Sequence, residues 1–153
     1  MTVIRRNSAR GLKNGNPCAV RIDPKRRWEG RIPISRNLDG EVEEFEDPRF
    51  GLRAAVVLIL DYAEKGSADT IAKLIRLWVY PGSPAAIPLA AKVARLSGFG
   101  ADERLDFHRH DHLRRILDAM IHAECRRQPF PDDLLNEALA KAGVRPSTTT
   151  TVA

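Results

Sequence analysis

The sequence predicts an α+β fold, mainly helical, with a small N-terminal antiparallel β-hairpin sheet followed by a bundle of about five helices. Two observations carry this expectation. Before Asp47, short apolar runs alternate with turn residues; after it, apolar residues recur at helical spacing between Asp, Pro and Gly punctuation. A third observation, 153 residues of which 43% are hydrophobic, suits one core without a disulfide scaffold.

The elements follow in order. Residues 1–16 show no periodicity and read as a basic arm or a loop packed on the body. "CAVRI" (18–22), "GRIPIS" (30–35) and "EVEEFE" (41–46) read as short strands, the last two joined across Asp39-Gly40, a hairpin turn signal. Six acids crowd into 39–47, and a cross-strand ionic match explains them structurally. "DPRFGLRAAVVLILDYAEKG" starts with an Asp cap, places Pro48 first and stops at Gly66, with Leu52, Val56, Ile59 and Ala63 on one side. "SADTIAKLIRLWVY" is a second helix, with Ile71, Leu74, Ile75 and Trp78 inward, broken by Pro81. A third runs from Pro84 or Pro88 to Ser97. "DHLRRILDAMIHAECRR" and "PDDLLNEALAKAG" complete the bundle. The expected organisation is a basic arm at 1–16, one domain at 17–143 and a disordered tail at 144–153.

Composition excludes several classes. The longest unbroken apolar run, Ala54 to Leu60, is far short of the roughly 20 residues a spanning helix needs, so no membrane insertion is expected. No apolar segment follows the N-terminal arginines, so no signal peptide is visible and synthesis in the bacterial cytoplasm is expected. Cys18 and Cys125 fit neither a zinc ligand set nor a redox pair. Net charge is uneven: residues 1–36 hold ten Lys/Arg against two acids. Such an end favours nucleic acid, anionic wall polymer or an acidic partner surface, through Arg5, Arg6, Arg10, Lys25, Arg26 and Arg27.

The residue that raises a chemical question is Glu124. Leu113, Ile116, Leu117, Met120 and Ile121 span one arc of the fourth helix, and Glu124 falls near the middle of it. A carboxyl group turned inward acquires a salt bridge, a hydrogen-bond network or a raised pKa, and the last is what glycosidic cleavage asks of its general acid. The competing reading places Glu124 at a fraying helix end, reaching to Arg5, Arg10 or Arg21. His108, His110 and His112 lack the further ligands a metal site requires, and no phosphate-cradling or dinucleotide loop occurs, so neither metal nor cofactor is expected. Trp78 fits an apolar stripe; Trp28, after "KRR", is the better candidate for an exposed sugar platform.

"RGLKNGNPCAVR", "WEG" at 28–30, "FEDPRFGLRA" at 45–54, "DTIAKLIRLWVYP" at 69–81 and "LRRILDAMIHAECRRQPF" at 113–130 together resemble a family of phage and prophage virion structural proteins. That family shows R-G-I/L-R-N-N-N-P-G-N-I, W-x-G, F-x-S/D-P-x-x-G-x-R-A, T-I-x-x-I/L-I-x-x-W-A-P and A-I-I-x-H-E-N-G-x-x-P-Y/F, and the match runs in order from Arg10 to Phe130. The last motif also looks like the A-x-I-x-x-E-S-G helix of lytic transglycosylases, in which the glutamate is the general acid. The resemblance implies a lysozyme-like fold, a virion location, other virion proteins as partners and action on peptidoglycan with Glu124 as acid. Three departures stand out: Cys18-Ala19 replaces Gly-Asn, Ala123-Glu124-Cys125-Arg126 replaces H-E-N-G, and "VYPGSPAAIP" lacks the expected asparagine. Both cysteines fall at substituted motif positions, which places them near each other as a hypothesis.

Three functions remain. The first is a virion-associated structural protein with little or no activity on peptidoglycan. The second is an active peptidoglycan glycoside hydrolase or lytic transglycosylase: Glu124 is the acid, Glu46 or Asp47 assists, and Asn14, Asn16 and Trp28 bind substrate. The third is a nucleic-acid-binding module using the basic arm.

Overall fold

The computed structural model describes residues 10–146, and its regular elements are helical. The helix α1 (Pro48–Lys65) begins where the sequence places it. Asp47 is extended, its carboxylate accepts the Arg49 backbone N–H at 2.8 Å, and Pro48 takes the first helical position. Helix α2 (Ile71–Trp78) starts later than Ser67 because the Thr70 hydroxyl caps it, accepting the Lys73 N–H at 3.1 Å. Helix α3 (Ala86–Ser97) stops on Gly98, whose φ of 81° is the left-handed conformation that closes helices. Helices α4 (His110–Cys125) and α5 (Asp132–Lys141) follow, and residues 10–13 are also helical.

Helix α4 packs on α3, α5 and α1; α1 also packs on α2 and α5. The arc from Leu113 to Ile121 is wholly buried, as are Ile71, Leu74 and Ile75 of α2. On α1, Leu52, Val56 and Ile59 are inside, while Ala63 is only partly covered. Each fully buried aliphatic of this kind is worth roughly 1.5–3 kcal/mol, so the helices carry the bulk of the apolar stabilisation.

The expected N-terminal sheet is absent: among the described residues there is no β-strand, and the α+β, lysozyme-like class is corrected to an all-helical one. Two isolated antiparallel bridges remain, Arg21 with Val42 and Arg31 with Phe45. The segment 41–46 lies between the other two, bonded through Glu43 N–H to the Val20 carbonyl at 2.9 Å and Ile32 N–H to the Glu44 carbonyl at 2.8 Å. Neither pairing propagates. Ala19 (φ 54°) and Gly30 (φ 73°) are left-handed, and Pro33 leads into a 3-10 turn at Ile34–Arg36, so each run breaks before a ladder forms.

Side chains supply what the missing ladder would have. The buried Asn16 amide donates to the Val20 and Glu43 carbonyls at 3.0 and 2.9 Å and accepts the Val20 N–H at 2.9 Å. Fully buried Glu43 takes a two-pronged ion pair from Arg31, with contacts of 2.9 and 2.5 Å. Glu44 accepts the Leu38 and Asp39 N–H groups, both at 2.8 Å. The acids of 39–47 thus hold backbone and arginine in an irregular layer. That layer rests on α1 at Gly51, where a Cβ would lie 1.9 Å from the Gly15 carbonyl oxygen.

Candidate functional site

Where the irregular layer meets α2, α3 and α4, a groove of about 310 Å³ opens, and Glu124 stands on its wall. Ile75, Trp78, Leu89, Val93 and Met120 make it apolar, and its polar residues include Arg10, Arg21, Glu41 and Glu124. Trp78 is fixed there by its indole N–H, which donates to the Cys18 carbonyl at 2.8 Å. Arg21 donates to the Trp78 carbonyl at 2.8 Å, satisfying the end of α2.

Glu124 is half-buried in the last turn of α4. Burial pushes its carboxyl pKa up; Arg10 pulls it back, Asp39 adds to the rise and Lys92 opposes it. Arg10 does not pair with it among the described residues. That guanidinium instead grips Asp39 through two 2.8 Å contacts, and Asn14 adds a third at 3.0 Å. The Arg10 hydrogen bond, with the backbone N–H groups of Val42 and Glu41 also contributing, holds the Asp39 carboxyl well below the usual carboxylate range. Asp39 is an anchor, with its lone pairs occupied.

The other sequence-predicted residues are placed as follows. Glu46 is exposed and Asp47 caps α1; neither lines the groove. Asn14 and Asn16 are buried and used internally, Asn14 on Asp39 and Asn16 on the backbone. Trp28 lies away from Glu124, lining a second cavity with Phe50 and Arg53, with Arg26 5.6 Å above its ring. Arg26 also pairs with Asp61 at 2.8 Å, while Lys25 and Arg27 are exposed. Arg5 and Arg6 lie outside the described residues, as do most of the expected arm and residues 147–153 of the expected tail.

Cys18 and Cys125 are buried free thiols. The Cys125 Sγ lies 3.6 Å from the carbonyl oxygen of Pro17, directly before Cys18. Burial pushes the Cys125 thiol up to about 11, and burial and then Cys125 raise Cys18. Such thiols are poor nucleophiles. No cluster of three or more His, Cys, Asp or Glu suited to a metal occurs among the described residues.

Sequence reasoning missed Glu41 and the wall from Val79 to Leu89, and it named Arg21 only as a partner for Glu124, whereas Arg21 is spent on the Trp78 carbonyl. The one signal was the departure "VYPGSPAAIP", where small and apolar residues stand in place of the resembled family's asparagine and now line the groove.

No family model matches the chain. It is 28% identical over 128 residues to Protein P5 of Pseudoalteromonas phage PM2, covering 82% of this chain and 77% of that protein. The likeness is to a protein of a phage. It carries no information on wall-degrading activity. Among the described residues, no helix is long and apolar enough to cross a membrane.

Proposed function

We propose that this is a virion-associated structural protein whose groove at Glu124 binds without efficient cleavage. The likeness to a phage protein supports the particle location, with other virion proteins as partners. The observation that carries the binding reading is the groove itself: one half-buried acid beside apolar walls, with Asp39, whose charge acts on it, paired with Arg10. Glycosidic cleavage by two carboxylates needs a second one facing the first across roughly 5–9.5 Å. Glu46 and Asp47 stand off the groove, and Glu41, which borders it, leans to within 3.7 Å of Arg10. An apolar floor also offers a sugar ring few hydrogen-bond partners.

A second reading keeps one favouring observation. A carboxyl group whose pKa is raised by burial is poised as a general acid, so a peptidoglycan glycosidase or lytic transglycosylase built on Glu124 is the alternative. A nucleic-acid module is weaker, because Arg10 and Arg26 are already committed to Asp39 and Asp61.

Two assays decide between these. The protein should co-purify with intact particles, and its absence from them would overturn the virion reading. On wall-impregnated gels it should leave no clearing zone beyond that of Glu124→Gln. Strong clearing abolished by that substitution, with the fold unchanged, would establish the glycosidase instead.

A further inference from the structure

Two buried thiols flank the groove, and the binding reading uses neither. Cys18 belongs to the irregular layer and lines the groove, with 3% of its surface exposed. Cys125 ends α4 and is wholly buried, directly after the lining residues Ala123 and Glu124. The Cys125 thiol is aimed across the seam. It donates to the Pro17 carbonyl at 3.6 Å, and a Cβ at Gly11 would lie 3.1 Å from the same sulfur. Because a peptide oxygen lies about 2.8 Å from the next Cα, the Cys125 Sγ is at most about 6.4 Å from the Cys18 Cα. Bridged cysteines have Cα atoms roughly 4.4–6.8 Å apart, so side-chain rotation and a small shift of the layer bring the two sulfurs together. The thiols also feel each other electrostatically, since Cys125 adds to the rise in the Cys18 pKa.

Their setting decides when they react. Burial raises both thiols, Cys125 to about 11, so little thiolate exists near neutral pH and oxidation is slow. A reducing compartment keeps such a pair free, whereas the surface of a released particle sits in oxidising surroundings where disulfides persist. Cys18 is the thiol open to the groove, so a peroxide meets it first. The Cys18 thiol and hydrogen peroxide give a sulfenic acid and one water. The Cys125 sulfur then attacks the Cys18 sulfur, the S–S bond forms as the S–O bond breaks, and the hydroxyl leaves with the Cys125 proton as a second water. Two electrons pass from the pair of sulfurs to the peroxide.

We propose that Cys18 and Cys125 form an intramolecular disulfide once the protein is in a released particle, tying the irregular layer to the end of α4 and fixing the two groove walls they adjoin. The timing rests on the virion reading; the bond itself rests on the geometry of the seam. It closes a loop on the order of 100 residues, the length at which a cross-link restricts the unfolded chain most.

The test exposes the reduced full chain, at low concentration, to a small excess of hydrogen peroxide. A monomer lighter by two hydrogen masses is expected, with peptide mapping that joins the segments carrying Cys18 and Cys125. After unfolding, that chain should take up no iodoacetamide, whereas the reduced chain is alkylated at both cysteines; this readout needs no variant. The thermal midpoint should rise by at least about 5 °C, and a thiol reductant should reverse the gain. Cys125→Ala should show neither the mass loss nor the gain. Products joined only between copies, oxygen adducts without a bridge, an unreacted pair, or a bridge that lowers the midpoint would each overturn the proposal. Particles opened in iodoacetamide without reductant separate the two readings. A bridge in the pure protein, with none of that protein in particles, would sink only the virion reading; free Cys18 and Cys125 in particles that carry it would sink only this one.

Discussion

The helices α1–α5 and the irregular layer of residues 10–46 are stabilised by different chemistry, although they share one core. In the helices, hydrogen bonds close locally and burial of aliphatic stripes does the rest, so beyond the Asp47 and Thr70 caps little rests on single polar side chains. In the layer, no ladder of any length exists, and Asn16, Asp39, Glu43 and Glu44 satisfy backbone or guanidinium groups one at a time. The difference teaches that the layer is specified by polar side chains whose individual removal leaves a buried group unpaired. The groove lies on the seam between the two regions, so its shape depends on both.

The comparison breaks most directly at Glu43. Glu43→Ala leaves the Arg31 guanidinium without its carboxylate in a nearly closed space, and a loss of about 3–5 kcal/mol in chemical unfolding is expected. A loss below about 1 kcal/mol, the scale of an ordinary hydrogen bond, would show that the layer does not rely on its ion pair. A smaller effect sharpens the contrast at Asp39. Its folded pKa is depressed, so its contribution is present above the ordinary value of 3.8 and is lost as pH falls below that value toward the folded one. Asp39→Asn should cost about 1.5–3 kcal/mol at neutral pH, the scale of a hydrogen bond to a charged group. It should also flatten the stability curve on the acid side of pH 4, where the wild type declines. An unchanged slope there would remove Asp39 from the account.

Legibility in the sequence divides along the same line. Asp47, Pro48, Thr70 and Gly98 punctuate the helices with residues whose caps have local physical causes, and the arc from Leu113 to Ile121 shows its period directly. The layer was illegible because alternation in "GRIPIS" and "EVEEFE" announces extended backbone without saying that Ala19, Gly30 and Pro33 interrupt its pairing. For the site, the helical period turned Glu124 inward, and it does reach a groove. Arg10 and Arg21 were readable as arginines within its reach, but Glu41 and Leu89 were not, since they come from segments that only tertiary packing brings together. Arg10 and Asn14 stood out by residue type, yet their partner Asp39 was read as a turn residue and one of six acids in a cross-strand ionic match, with no specific partner.

Everything proposed for the groove requires that the Glu124 carboxyl be half-desolvated and free of a tight arginine. A carbon-detected NMR titration of that side chain in the full protein measures this directly. An apparent pKa above the ordinary 4.5 is the predicted result, with burial as the cause. A value at or below 4.5 would mean a solvated or salt-bridged carboxylate, and would contradict the account.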